Sequence, residues 1–188
     1  ACVVEVGLGG RFDATNVLGP DVLLACGVAA LGIDHERFLL APEEGVPIAP
    51  IARIAFEKGG IAKSGVPLVI AGGYPAEALA AIREQAENVS APLFEAGRDW
   101  FVDTWQGGHY RDREGRFELP QMSLPGAHQY RNAGLAAAML RHQKSLPITE
   151  QSLRSGMQKT IWPGRLHALS QGPLTALVAE RPILLDGG

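Results

Sequence analysis

The sequence predicts an α/β fold: a mostly parallel sheet with flanking helices and a small antiparallel β insertion. Three observations carry that expectation. Continuous apolar runs at 1–6, 21–31 and 66–72 have the length and composition of parallel strands covered on both faces. Segments with apolar residues at helical spacing alternate with them, which is the pattern of strand and helix layers. Beyond residue 93 the runs become short, aromatic and β-branched, as in a hairpin or small antiparallel sheet.

Taken in order, "ACVVEV" is the first strand and "DVLLACGVAAL" the second. In "APIARIAFEKGG" the residues Ile51, Ile54, Ala55 and Lys58 share one helical stripe, and Gly59-Gly60 supplies the stop. "VPLVIAG" is the third strand. The following helix carries Ala78, Leu79, Ile82 and Ala86 on one face behind Pro75. "LFEAGRDWFVDTW" and "GRFELPQMSL" flank "QGGHYRDREG" as the antiparallel insertion. A small-residue helix follows "LPGAHQYRN", with Ala133, Ala136 and Leu140 beside Leu135 and Met139. A last helix begins at Thr149, an N-cap, with Ile148 and Leu153 placed as a hydrophobic staple. "WPGR" at 162–165 then breaks the chain and "LTALVAERPILLDGG" resumes strand character, which sets a domain boundary near residue 160.

Bulk composition narrows the function classes. The chain has 188 residues, 46% of them hydrophobic and 20% charged, as in an ordinary globular protein. A formal charge of -3 lacks the basic footprint of a nucleic-acid binder. No apolar run reaches the roughly 20 residues of a membrane span, and no signal peptide is evident. Cys2 and Cys26 both sit in apolar runs and read as small buried hydrophobes of a reducing, cytoplasmic compartment. Both ends read as interior to strands, so an internal fragment of a longer protein is expected.

The chemistry concentrates at strand ends, where open parallel sheets bind ligands. Glu5 stands at such an end, before the turn Gly7-Leu8-Gly9-Gly10, and "GIDH" brings His35 to the next one. A carboxylate and an imidazole on neighbouring strand ends can share a divalent cation. The plain alternatives are a surface glutamate, one paired with Arg11, and a structural histidine. Lys58 continues an apolar stripe, and a buried lysine needs a partner or must lose its charge. Its alternative is a snorkelling stem or a pair with Glu57, and a simple crossover helix would carry its C-terminal end away from the strand tips. The glycine turn is not a dinucleotide fingerprint, because Phe12 stands where the third glycine belongs. No G-x-x-x-x-G-K-[ST] phosphate loop occurs in the chain.

The segments "EVGLGGRFDATN", "DH", "FEKGGIAKSGVP", "HQYRNAGLAAAML", "WPGR" and "LLDGG", in this order, resemble folylpolyglutamate synthase/dihydrofolate synthase, a branch of the Mur ligases. The resemblance covers almost the whole chain. It implies a cytoplasmic, monomeric carbon-nitrogen ligase that joins L-glutamate to dihydropteroate or a folate through an acyl phosphate, using ATP and Mg²⁺. It also implies that residues 1–160 are the later part of a Mur-ligase ATPase domain, and that 161–188 are the hinge and first strands of a C-terminal α/β domain. Glu5, His35 and a carbamylated Lys58 match its metal ligands. Asp13 and Ala14 match pterin contacts, and Asn132, Arg165 and Asp186 match groups around the nucleotide. The family's phosphate loop would precede residue 1, so the chain alone is expected to be inactive. The segment around His35 and "LTALVAE" are longer than the family pattern, which bears most on His35. Another Mur-type amino-acid ligase, or an inert binding protein of the same fold, are the rival readings.

Overall fold

A computed structural model describes residues 1–33, 40, 41, 43–104, 108–178 and 181–187. Its centre is a parallel sheet of β1 (Cys26–Val28), β2 (Leu68–Ile70) and β3 (Leu93–Glu95), ordered β1-β2-β3. The register sets Cys26 opposite Leu68, and Leu68 opposite Leu93. Between β1 and β2 runs α1 (Pro50–Gly59), and between β2 and β3 runs α2 (Ala76–Asn88). Both are crossover helices of the kind parallel strands require.

Strand β2 shows why its sequence is apolar at every position. Leu68 and Ile70 enter one core with Val28, Ala55, Ile82 and Ala86. Val69 enters a second core on the opposite face, with Trp100, Tyr110, Leu135 and Ala138. Alternate side chains leave opposite faces of a strand, so a strand covered on both sides must be apolar throughout. The second core is closed by an antiparallel sheet, β4 (Trp100–Asp103), β5 (His109–Asp112) and β6 (Gly115–Glu118), together with α3 (His128–His142) and α4 (Glu150–Lys159). Thr149 caps α4: its hydroxyl accepts from the Ser152 amide, and Ser152 Oγ accepts from the Thr149 amide, both at 3.1 Å. The chain finishes with β7 (His167–Leu169), α5 (Pro173–Leu177) and β8 (Ile183–Leu185), β7 and β8 being antiparallel. None of the described residues in 161–187 is buried.

Several expectations are corrected. Residues 1–6 form no strand: they join neither edge of the β1–β2–β3 sheet, and Val3 is 96% exposed. Without a neighbour to pair with, apolar composition alone cannot make a strand. Only Cys26–Val28 of the 21–31 run is extended in the sheet. Cys2 is exposed and only Cys26 is buried. In α3 the buried stripe is Leu135, Ala137 and Ala138, while Ala136 and Leu140 face outward. Residues 173–177 turn into a short helix after Gly172 and Pro173, which start one readily.

Where α3 ends, His142 is buried and lies flat on Phe94, ring centroids 3.8 Å apart and planes within 10°. Its Nε2 has no hydrogen-bond partner. Burial pushes its pKa down, with Asp112 and Glu114 opposing the shift and Arg113 and Arg141 adding to it. The unfolded chain therefore takes up a proton from about pH 6.5 downward while the native state resists it. Stability is retained above that pH and falls as the pH drops through the lower native value. Urea unfolding between pH 7 and 5 should show this slope in the wild type and lose it in His142→Phe. Equal slopes would remove His142 as the source.

Candidate functional site

Two clefts contain most of the chemistry-bearing residues singled out in the sequence. The larger, about 950 Å³, opens beside the carboxyl end of β1 at Ala29 and runs along α3 and α4. Leu135, Ala136, Leu140, Leu153 and Met157 make much of its wall, which is where the outward apolar face of α3 is used. Glu5, Asn132, Arg165 and Asp186 all line it. Four residues far apart in sequence thus converge on one space.

Each is set by its local backbone. Glu5 is exposed on a segment without regular secondary structure just before the glycine turn. Asn132, in the first turns of α3, donates from Nδ2 to Gln129 Oε1 at 3.1 Å, and Gln129 Nε2 is 3.1 Å from His128 Nε2. His128 and Gln129 line the cleft as well. The "WPGR" turn is tied to the end of β8: the Leu166 amide donates to Asp186 Oδ1 at 3.2 Å, and the Gly187 amide donates to Gly164 O at 2.6 Å. The Arg165 guanidinium donates to Gly187 O. These contacts hold Arg165 and Asp186 on the same rim.

The smaller cleft, about 430 Å³, is lined by Phe12, Asp13, Ala14, Glu43, Arg53 and Glu57, among others. Asp13 folds its own loop. Its Oδ1 accepts from the Thr15 hydroxyl and amide at 2.6 and 2.9 Å, and its Oδ2 accepts from the Gly7 and Leu8 amides at 3.0 Å each. The Thr15 hydroxyl first, then the amides of Thr15, Leu8 and Gly7, bring its carboxyl down to about 2. Asp13 caps the 3₁₀ turn Ala14–Val17 and leaves Ala14 exposed at the cleft.

Lys58 lies in the last turn of α1, half-buried, and lines neither cleft. Its neighbour Glu57 is taken by Arg11 and Arg53, so the pair of Lys58 with Glu57 does not form. Arg11 likewise pairs with Glu57 and Glu43 instead of Glu5. The glycine turn sits directly on this helix end: a Cβ on Gly10 would come within 2.7 Å of Glu57 O and 3.2 Å of Lys58 Cα, and one on Gly60 within 2.9 Å of Arg11 Cα. That approach is why the two segments need glycine where they meet. His35 lies outside the described residues. Among the described residues, no three His, Cys, Asp or Glu side chains are arranged to hold a metal.

Sequence reasoning missed the Arg11, Glu43, Arg53 and Glu57 cluster, and also His128 and Gln129. Arg53 and Glu57 stand four residues apart on one helix, a visible pairing signal, but their burial is a tertiary fact. His128 and Asn132 have the same spacing, which could have placed both on one face.

No protein-family model matches the chain. It is 37% identical to a Bacillus subtilis dihydrofolate synthase/folylpolyglutamate synthase, over 98% of this chain and 40% of that protein. It is 32% identical to a Saccharomyces cerevisiae dihydrofolate synthetase, over 99% of this chain and 42% of that protein. Among solved structures, the E. coli FolC complex with DHPP and ADP superposes with a TM-score of 0.74 at 30% identity, over 98% of this chain and 38% of that one. The chain therefore spans about 40% of the length of the curated relatives it matches. No helix among the described residues is long and apolar enough to cross a membrane.

Proposed function

We propose, from a chain homologous along nearly its whole length to the folylpolyglutamate and dihydrofolate synthases, that its parent protein is an ATP-dependent carbon-nitrogen ligase. It adds L-glutamate to dihydropteroate or a folate. The observation that carries this reading is the meeting of Glu5, Asn132, Arg165 and Asp186 on one cleft. These are the residues that the resemblance assigns to metal and nucleotide.

In this reading ATP phosphorylates the acceptor's carboxylate, and the glutamate amine attacks the acyl phosphate and expels phosphate. Asn132, Arg165 and Asp186 orient the nucleotide. The loop bearing Asp13 and Ala14 receives the pteridine, with Asp13 rigidifying the loop from within. Glu5 fits a hard divalent cation: its exposed carboxylate faces the cleft that Asp186 also lines, and a cation with several ligands from water and phosphate needs only one or two such groups. The resemblance gives Glu5, His35 and a carbamylated Lys58 as the metal ligands; of these Glu5 lines the cleft of the nucleotide residues, where Mg²⁺ would screen phosphate charge. Residues 161–188 belong to a hinge and second domain, a division supported by the lack of buried positions among the described residues there. The 188-residue chain by itself, having no lysine-bearing phosphate loop, should not turn over ATP.

The test is glutamate-dependent ADP release by the full-length gene product, with dihydropteroate, a reduced folate, or nucleotide-sugar peptides as acceptor. Release with a pteroate or folate alone is expected. Turnover only with the peptides would move the assignment to another Mur-type ligase. Failure with every acceptor, together with no nucleotide binding, would favour an inert protein of this fold.

A further inference from the structure

We propose that Arg11 is a positioning residue: it locks the loop bearing Asp13 and Ala14 to the helix end bearing Lys58, holding the two in fixed register. This rests on the function proposed above. The lock works at two levels. The Arg11 amide donates to Glu57 O at 2.8 Å, and its Nε and Nη2 donate to the two Glu57 carboxylate oxygens at 3.1 and 2.8 Å. The outer edge of the same guanidinium meets Glu43, with Nη1 and Nη2 donating at 2.9 and 2.5 Å. Its carbon lies 4.2 Å from the Phe12 ring centroid and 4.9 Å from that of Phe56. Arg53 closes the ring of charges, 2.7 Å from Glu43 and 3.1 Å from Glu57.

Simple anchoring of the loop does not need this arrangement. Asn16 Nδ2 already donates to Arg11 O at 2.8 Å and Gly60 O at 3.1 Å, and Lys63 donates to Asn16 Oδ1 at 2.5 Å. The side chains of Glu57 and Arg53 are only 5% and 6% exposed. Buried ion pairs stabilise little against their desolvation, and their better-attested use is to fix one geometry. Here the geometry fixed is that of Glu57, the residue bonded to Lys58, against a loop made stiff by Asp13. The smaller cleft is walled by both parts, with Phe12, Asp13 and Ala14 on one side and Arg53 and Glu57 on the other. Whatever binds there therefore touches the elements whose register Arg11 holds.

The test uses the full-length gene product with Arg11→Met, Arg11→Lys and Glu57→Gln. It follows steady-state kinetics and, independently of activity, acetylation of Lys58 by acetic anhydride read by mass spectrometry. In Arg11→Met, KM for the pteroate or folate should rise roughly 10-fold and kcat fall similarly, with KM for ATP unchanged. Lys58 labelling should change by about threefold while Lys144 and Lys159 label as before. Arg11→Lys should behave like Arg11→Met, because an ammonium cannot reproduce two bidentate contacts. Full recovery by Arg11→Lys, equal loss for ATP and folate, or unchanged Lys58 labelling would each overturn the proposal. Should Arg11→Met not fold, Glu57→Gln carries the same readouts. A wild type that ligates no folate would defeat the proposed function, and the labelling arm would still decide the coupling.

Discussion

Replacing Asp112 with alanine should lower the free energy of unfolding by about 3 kcal/mol, the cost of removing one partner from a buried ion pair. The Asp112 side chain is fully buried. It accepts from Arg141 Nε and Nη2 at 2.6 and 2.8 Å, from the Tyr110 hydroxyl at 3.0 Å, and from the Glu114 amide at 2.9 Å. Burial works against its charge, but Arg141, the Tyr110 hydroxyl and the Glu114 amide together outweigh that and hold the carboxyl below the usual range. The pair fastens the antiparallel sheet to the last turn of α3, so its loss strands a guanidinium and a buried phenol together. Urea unfolding measures the effect. The double variant Asp112→Leu, Arg141→Met should recover much of the loss, because a buried pair replaced whole by apolar groups is often neutral. A single variant as stable as wild type would show that the clamp contributes nothing.

The second large effect is on activity. Lys58→Met in the full-length protein should reduce kcat roughly 10²–10³-fold, the scale of losing one preorganised charged group at a reacting phosphate. Stability should stay within about 0.5 kcal/mol of wild type, because the Lys58 side chain makes no hydrogen bond or ion pair with a described residue and Met replaces its half-buried stem. In the proposed chemistry the Lys58 ammonium first gives up one proton, and the neutral amine then adds to CO₂, forming an N–C bond and releasing a second proton, so that a cation becomes an anion. Removal of CO₂ should therefore lower wild-type activity, and bicarbonate should restore it. Labelling with ¹³C-bicarbonate should give a carbamate signal that Lys58→Met lacks. Wild-type kinetics in Lys58→Met, or no signal in the wild type, would remove Lys58 from the mechanism.

Periodicity served well wherever a side chain's fate is decided by its own element. Strand β2, the helical faces of α1 and α2 and the Thr149 cap are local patterns, and their residues behave as read. It failed where a partner segment decides. "ACVVEV" reads as a buried strand, yet Val3 and Val4 are exposed because no neighbouring strand meets them. In α1 the apolar stripe was read correctly at Ile54 and Ala55, but a count of apolar positions alone passes over Arg53 and Glu57, which are buried because they neutralise one another.

For the site, the residue types and their order were visible, and so was the resemblance they carry. The resemblance also grouped Asn132, Arg165 and Asp186 around the nucleotide, but the contacts each side chain makes were not visible. Asp13 was read as facing a ligand, and its carboxylate is engaged by the Thr15, Gly7 and Leu8 donors of its own loop. Lys58 was read as one of a set with Glu5, and Glu5 lines the larger cleft while Lys58 sits under the glycine turn.

By itself, then, the sequence determined helices α1 to α4 and the places of β1 and β2, because these follow from short-range spacing and composition, whereas Leu93–Glu95, read as part of the antiparallel insertion, joins the parallel sheet. Only the tertiary structure decided that Glu5 lines the same cleft as Asn132, Arg165 and Asp186 while Lys58 does not, and that four charges join the loop to α1. The physical reason is range: spacing along the chain sets which face of an element a residue occupies, whereas charge pairing and cavity walls depend on elements brought together from distant parts of the chain.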